Sequence, residues 1–148
     1  MSQSKGVIFQ NVRMAAGLTQ ERLAERIGKS IETVRAYESG SRDPDPDTVV
    51  LMADACNAQY LAYQYLQQTA PGLRLLPEIE LTDLPAAILR VIKEVNELVD
   101  CQKDLIAIGA DGKITPDERE RWDEILLEFS DVKKAIIEIE LAHGRMHS

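Results

Sequence analysis

The chain has 148 residues, 45% hydrophobic and 28% charged, the balance of a folded globular protein with one ordinary domain or two small ones. No apolar run approaches the length of a membrane span, and the N-terminus lacks the basic start and apolar core of a secretory signal, so a cytoplasmic protein with no membrane role is expected. The net charge of −8 is unevenly spread: residues 1–70 carry seven bases against eight acids (−1), and residues 71–148 carry ten against seventeen (−7). Aromatic residues are only 5%, which suits helices packed through Leu, Ile, Val and Ala. Cys56 and Cys101 lie far apart in apolar helical contexts and read as buried reduced thiols.

The first predicted helix spans about Val7 to Ala16, with Ile8, Val12 and Ala15 inward. The stretch RMAAGLTQERLAERIGKSIETVRAYESGSRDP, residues 13–44, is the most structured text in the sequence. Thr19 can cap a second helix, with Arg22 where a capping box would carry Glu, and Leu23, Ala24 and Ile27 share one face. Gly28 ends that helix, Ser30 is placed to cap the next, Val34 and Tyr37 give it a buried side, and Gly40 stops it. Two helices around a short Gly-containing turn form a helix-turn-helix, whose second helix enters the major groove. A fourth helix is expected near Asp47 to Cys56, capped by Asp47, with Val50, Leu51 and Ala53 as its apolar side. A fifth, about Ala58 to Gln68, carries Leu61, Tyr65 and Leu66.

Ala70-Pro71-Gly72 reads as a breaker cluster and the best domain boundary. Leu73, Leu75, Leu76, Ile79 and Leu81 then form an apolar connector. A long helix follows from about Asp83 to Ile108, with a near-heptad stripe of Ile88, Val91, Ile92, Val95, Leu98, Val99, Gln102, Leu105 and Ile106. Gly109-Ala110-Asp111-Gly112 makes a turn. Thr115, Pro116 and Glu118 supply a capping box for a last helix striped by Trp122, Ile125, Leu126, Phe129, Val132, Ile136 and Ile139, which Ser130-Asp131 could kink or restart. The fold class is therefore all-α: a five-helix N-terminal domain (1–70), a connector (71–82), and a long antiparallel helical hairpin (83–148). Such a hairpin leaves apolar surface over, and a second chain completing a four-helix bundle is the usual solution.

The residues Gly17-Leu18-Thr19-Gln20, Leu23-Ala24, Ile27-Gly28, Ser30, Val34, Tyr37-Glu38, Gly40, and Pro44 or Pro46 before an apolar helix resemble the phage-repressor-like (XRE-type) helix-turn-helix family over roughly residues 7–68. The resemblance implies a DNA-binding transcriptional regulator. It also implies base contacts from Ser30, Ile31, Glu32, Arg35 and Ala36. Gln20, Lys29, Ser39, Ser41 and Arg42 would then contact phosphates, with Gln20 also bracing the recognition helix. Arg35 is the strongest candidate reader, because a guanidinium can grip guanine O6 and N7 with two bonds. With the first half merely neutral, DNA affinity should be modest and salt-sensitive.

Other motifs point to bland explanations. Asp111 to Glu118 superficially resembles half of a calcium loop, but the preceding positions, Ala107 and Gly109, have no side-chain oxygen. His143 and His147 have metal-pair spacing without a third ligand. There is no nucleophile elbow, phosphate-cradling Gly loop or two-His metal helix, so no enzyme, metal or cofactor is expected. The leading expectation is a dimeric, sequence-specific regulator, a repressor, with double-stranded DNA as partner. The alternative is an antitoxin-like or anti-repressor interaction protein whose acidic hairpin binds a basic protein partner. Arg22, Lys29, Arg35 and Arg42 gathered on one surface would favour the first, and interruption by Glu21, Glu25, Glu32 and Asp43 the second. Ligand sensing through the apolar connector is a third possibility.

Overall fold

The structure, a computed structural model, describes residues 5–144. Among these the chain is entirely helical: α1 (Lys5–Ala15), α2 (Gln20–Ile27), α3 (Ile31–Ser39), α4 (Pro46–Ala55), α5 (Tyr60–Gln67), α6 (Ala70–Leu75), α7 (Leu84–Asp100), α8 (Gln102–Gly109) and α9 (Arg119–Gly144). The chain divides into two compact units, with the boundary between Leu76 and Pro77.

In the N-terminal unit, local signals set the helix ends. The Thr19 hydroxyl accepts from the Arg22 N–H at 3.1 Å, and the Ser30 hydroxyl accepts from the Thr33 N–H at 3.2 Å, each satisfying an orphan donor of the first turn. Gly28 (φ 67°) and Gly40 (φ 76°) end α2 and α3 in the left-handed region that a side chain disfavours. The core gathers Ile8, Phe9 and Val12 from α1, Leu23, Ala24 and Ile27 from α2, Val34 and Tyr37 from α3, and Val49, Met52 and Leu61 from α4 and α5. Gly6 allows α1 to approach α3 closely: a Cβ there would run into the Glu38 carbonyl oxygen.

Four expectations for this unit need correction. The cap of α4 is Asp45, not Asp47; its carboxylate accepts from the Thr48 N–H at 2.9 Å, and Pro46 occupies the first turn, where its missing N–H costs nothing. The buried side of α4 is Thr48, Val49, Met52 and Ala53, while Val50 and Leu51 are about half exposed. The run Val49 to Met52 is apolar all round the helix, so hydrophobicity could not choose the face; the tertiary core does. Ala70-Pro71-Gly72 does not break the chain but opens α6. The Thr69 hydroxyl caps it by accepting from the Gly72 N–H at 3.1 Å, and Gly72 lies so close to α5 that a Cβ would collide with the Leu66 carbonyl. Leu66, expected inward on α5, is exposed.

In the C-terminal unit Asp83 caps α7, accepting from the Ala86 N–H at 2.9 Å. The expected single helix to Ile108 is two, because α7 ends at Asp100 and α8 restarts after Cys101. The Cys101 N–H bonds back to the Leu98 carbonyl at 3.1 Å, a tightened turn, and its thiol donates to the Glu97 carbonyl at 3.5 Å. Arg121 then reaches over this junction, with Nε donating to Asp104 at 2.7 Å and Nη1 to Glu124 at 2.7 Å; these bonds raise its guanidinium pKa. Gly112 (φ 71°) and an Asp111 carboxylate accepting from the Lys113 N–H at 3.0 Å make the turn. Glu118 accepts from the Thr115 N–H at 2.9 Å, the reciprocal half of the capping box, and α9 proper starts at Arg119. It runs unbroken through Ser130-Asp131.

The segment before α7 is pinned to α9. Glu138, fully buried, accepts from the Glu80 N–H at 2.7 Å and from Arg90 Nη1 at 2.5 Å, so a buried carboxylate ties connector, α7 and α9 together. The buried cluster of this unit is small: Cys101, Ile108 and Ile125, with Leu105, Ile114 and Trp122 packed beside it.

Candidate nucleic-acid interface

Helix α3 is held from behind by a charge network. Glu38 is buried, yet it accepts from Arg13 Nε at 2.5 Å, Arg13 Nη2 at 3.1 Å and Gln20 Nε2 at 2.8 Å. The remaining Arg13 arm donates to the Leu18 carbonyl at 2.8 Å, closing the α1–α2 corner. A two-pronged guanidinium–carboxylate pair is both strong and directional, and the bond to Glu38 raises the Arg13 pKa. Gln20 continues the chain outward: its Oε1 accepts from Arg35 Nε at 3.3 Å. Buried Glu38, through Gln20, thus orients an exposed arginine on α3. The Glu38–Arg13 pair was not singled out from sequence, because only the tertiary fold brings residues 25 positions apart into contact; the quoted Tyr37-Glu38 was the nearest signal.

The expected base-reading residues divide by exposure. Glu32 and Arg35 are exposed on α3, and Ser30 is exposed but its hydroxyl is already committed to capping and to Thr33. Ile31 and Ala36 are half-buried, Ile31 packing on the core. The expected phosphate residues surround the helix. Lys29 precedes its cap; Ser39 is its last residue and Ser41 follows it, their hydroxyls 3.0 Å apart and both within reach of the Ala36 carbonyl. Arg42 lies over the Tyr37 ring, 5.9 Å from its centroid, and its N–H donates to the same carbonyl.

Pairing sorts the basic residues. Lys5 faces Asp43 at 3.6 Å, Arg13 is on Glu38, Arg22 pairs with Glu25 at 2.8 Å, and Arg26 caps α4 by donating to the Ala55 carbonyl at 2.8 Å. Lys29, Arg35 and Arg42 form no ion pair among the described residues, and these three flank or sit on α3. Acids do intrude, since Glu32 is exposed on α3 itself. At the start of α2 the Glu21 carboxyl is held below its usual range by its own backbone N–H and the Thr19 side chain, with smaller help from Arg35 and Arg13.

Elsewhere, the carboxylates of Glu94, Glu128 and Asp131 converge within 4.8 Å of one another between α7 and α9, with Lys93 bonded to Glu94 at 3.0 Å. Positions 107 and 109 of the calcium-like stretch belong to α8 rather than to a loop. Of the expected histidine pair, His147 and the side chain of His143 lie outside the described residues. Burial pushes the Cys56 thiol pKa up, as befits an unreactive core cysteine.

Residues 9–61 match the helix-turn-helix family model, from α1 into α5. The match lies within the N-terminal unit and spans well under half of the chain; no family model matches the C-terminal half. No curated protein matches the chain, and no solved structure does. Among the described residues no helix is long and apolar enough to cross a membrane.

Proposed function

We propose that this protein is a sequence-specific DNA-binding repressor that acts as a dimer, placing α3 of each copy in the major groove of a half-site. The observation that carries this is the distribution of positive charge. Every other basic residue of 1–70 is tied to a carboxylate or a backbone carbonyl of its own unit, whereas Lys29, Arg35 and Arg42, around α3, show no such tie to an acid, Arg35 meeting only the Gln20 amide and Arg42 the Tyr37 ring. Arg35 reads a guanine, Glu32 accepts from a cytosine N4 on the same face, and Lys29 and Arg42 neutralise flanking phosphates. Ser30, Ile31 and Ala36 add close contacts, and Gln20, Ser39 and Ser41 approach the backbone. Gln20 has a double task, since the amide that would approach a phosphate also holds Arg35 in place.

In vitro selection from random duplex DNA tests the reading, run with wild type and Arg35→Ala at low and at physiological salt. Wild type should enrich a two-fold symmetric site. The variant should lose about 1–3 kcal/mol at one base pair of each half-site, a relaxation confined to that position. No enrichment by wild type, or enrichment indifferent to Arg35, overturns the assignment of α3 and turns attention to a protein partner for the acidic second half.

A further inference from the structure

The first turn of α1 lies against the far end of α3. Gly6 permits this, since a Cβ on it would run into the Glu38 carbonyl oxygen and stand 2.7 Å from the Gly40 backbone nitrogen. With no side chain at Gly6, α1 begins beside the point where the chain leaves α3 for the 40–45 loop, which carries Ser41 and Arg42. Lys5, one residue earlier, is thereby carried to that loop, and its Nζ stands 3.6 Å from Asp43 Oδ2. Lys5 and Gly6 both precede the matched residues 9–61, so the family resemblance gives them no part in binding.

The Lys5–Asp43 pair is of a kind that exchanges readily. Its side chains are 61% and 62% exposed, and at 3.6 Å it is too long for a strong hydrogen bond. Such a pair contributes little and is screened by salt. The other paired bases of this unit differ. Arg13 is gripped at two points by buried Glu38, and releasing it would strand a carboxylate away from water. Arg22 is exposed, but it bonds at 2.8 Å to Glu25 on its own helix, and neither residue belongs to the 40–45 loop. Asp43 does belong to it. A duplex carries one negative charge per roughly 1.7 Å of its axis, so phosphates reaching Arg42 repel Asp43 and attract Lys5 in the same step. Lys29 stands before α3, and Lys5 with Arg42 beyond its last residue, Ser39. Phosphate contacts fix the register and orientation of a helix in the groove, and contacts past both ends restrain it better than contacts past one.

We infer that Lys5 is a phosphate contact of the DNA-binding surface, exchanging Asp43 for a backbone phosphate when the duplex arrives. The first turn of α1 then belongs to that surface, and Asp43 acts as a brake on binding. This rests on the reading of α3 as the DNA reader and extends its footprint to a second helix.

The test is the affinity of the full chain for two duplexes, one carrying the selected site and one of scrambled sequence, measured across a salt series. The variants are Lys5→Ala, Asp43→Asn, Arg35→Ala and the control Lys113→Ala, which removes the same charge from the second unit. Losing one phosphate contact should flatten the dependence of log affinity on log salt by about 0.9. Raising salt from about 50 to about 200 mM should therefore weaken wild type about 3.5-fold more than Lys5→Ala, equally on both duplexes. Asp43→Asn should bind both about two- to fivefold more tightly, and Lys113→Ala should keep the wild-type slope. Should Lys5→Ala lose helical circular dichroism, Asp43→Asn decides by that tightening. A wild-type slope in folded Lys5→Ala, the same flattening in Lys113→Ala, or an Asp43→Asn variant that binds no more tightly overturns the inference. Site-specific loss in Arg35→Ala beside an unchanged Lys5→Ala would sink Lys5 while leaving α3 as the reader. The flattened slope in Lys5→Ala beside an indifferent Arg35→Ala would do the reverse, and a wild type that binds neither duplex overturns both.

Discussion

The two units use the same material differently. In the N-terminal unit short helices of six to eleven residues, α2, α3, α4 and α6 started by side-chain caps, surround a core running from Ile8 to Leu61. In the C-terminal unit long helices enclose little beyond Cys101, Ile108 and Ile125, and leave Ile92, Val99 and Leu127 more than half exposed. A small domain becomes self-sufficient when several short helices cross and bury one another's faces from many directions. A hairpin of two long helices buries one line on each and offers the next line to something else. The first unit thus closes its own core, and the second leaves apolar side chains in water.

Each unit also buries one carboxylate under an arginine, and comparing the two should give the largest effects. Glu38→Ala removes the acceptor of Arg13 and Gln20 and strands a largely buried guanidinium, so thermal or urea unfolding should show a loss of about 3 kcal/mol. Glu138→Ala should cost less, about 2 kcal/mol, because a third of the Arg90 side chain is already in water. Equal losses would mean that the Arg90 pair is as sheltered as the Arg13 pair.

Concentration separates the units next. Leu23→Ala in the N-terminal core should lower stability by about 3 kcal/mol at any protein concentration. The unfolding midpoint of the C-terminal unit should instead rise with concentration, since association stabilises by mass action. A midpoint that does not move with concentration would make the second unit as self-contained as the first.

The smallest effect concerns Asp45. Its carboxyl is held below the usual aspartate range by the Thr48 N–H and hydroxyl. A carboxylate depressed in the folded state stabilises at pH above its unfolded value, and that contribution disappears as pH falls through the lower, folded value. Wild type should therefore lose α4 stability on acidification below about pH 4 more steeply than Asp45→Asn, as circular dichroism in acid titration would show.

What could be read from sequence follows the range of the forces involved. The glycines at 28 and 40 and the caps at 19 and 30 act within a turn of the chain, so α2 and α3 were legible residue by residue. The inward face of α4 was not, because its apolar residues encircle the helix and only the assembled core selects Val49 and Met52. Pro71 reads as a breaker in sequence because its tolerance in a first turn depends on Thr69 supplying the cap. The stripe of α7 was visible as apolar positions, but the division into an inner line and an outer line needs α9 in place. The link from Glu38 through Gln20 to Arg35 joins three helices, and nothing local announces it.

The most direct test of this division is to titrate duplex DNA carrying the selected site into the isotopically labelled full chain and follow amide and arginine side-chain resonances. The account predicts shifts concentrated from Lys29 to Arg42, with Arg35 Nε and the Gln20 side-chain amide among the largest, and little change along α7 and α9. Shifts centred on α7 and α9 with α3 silent would contradict it.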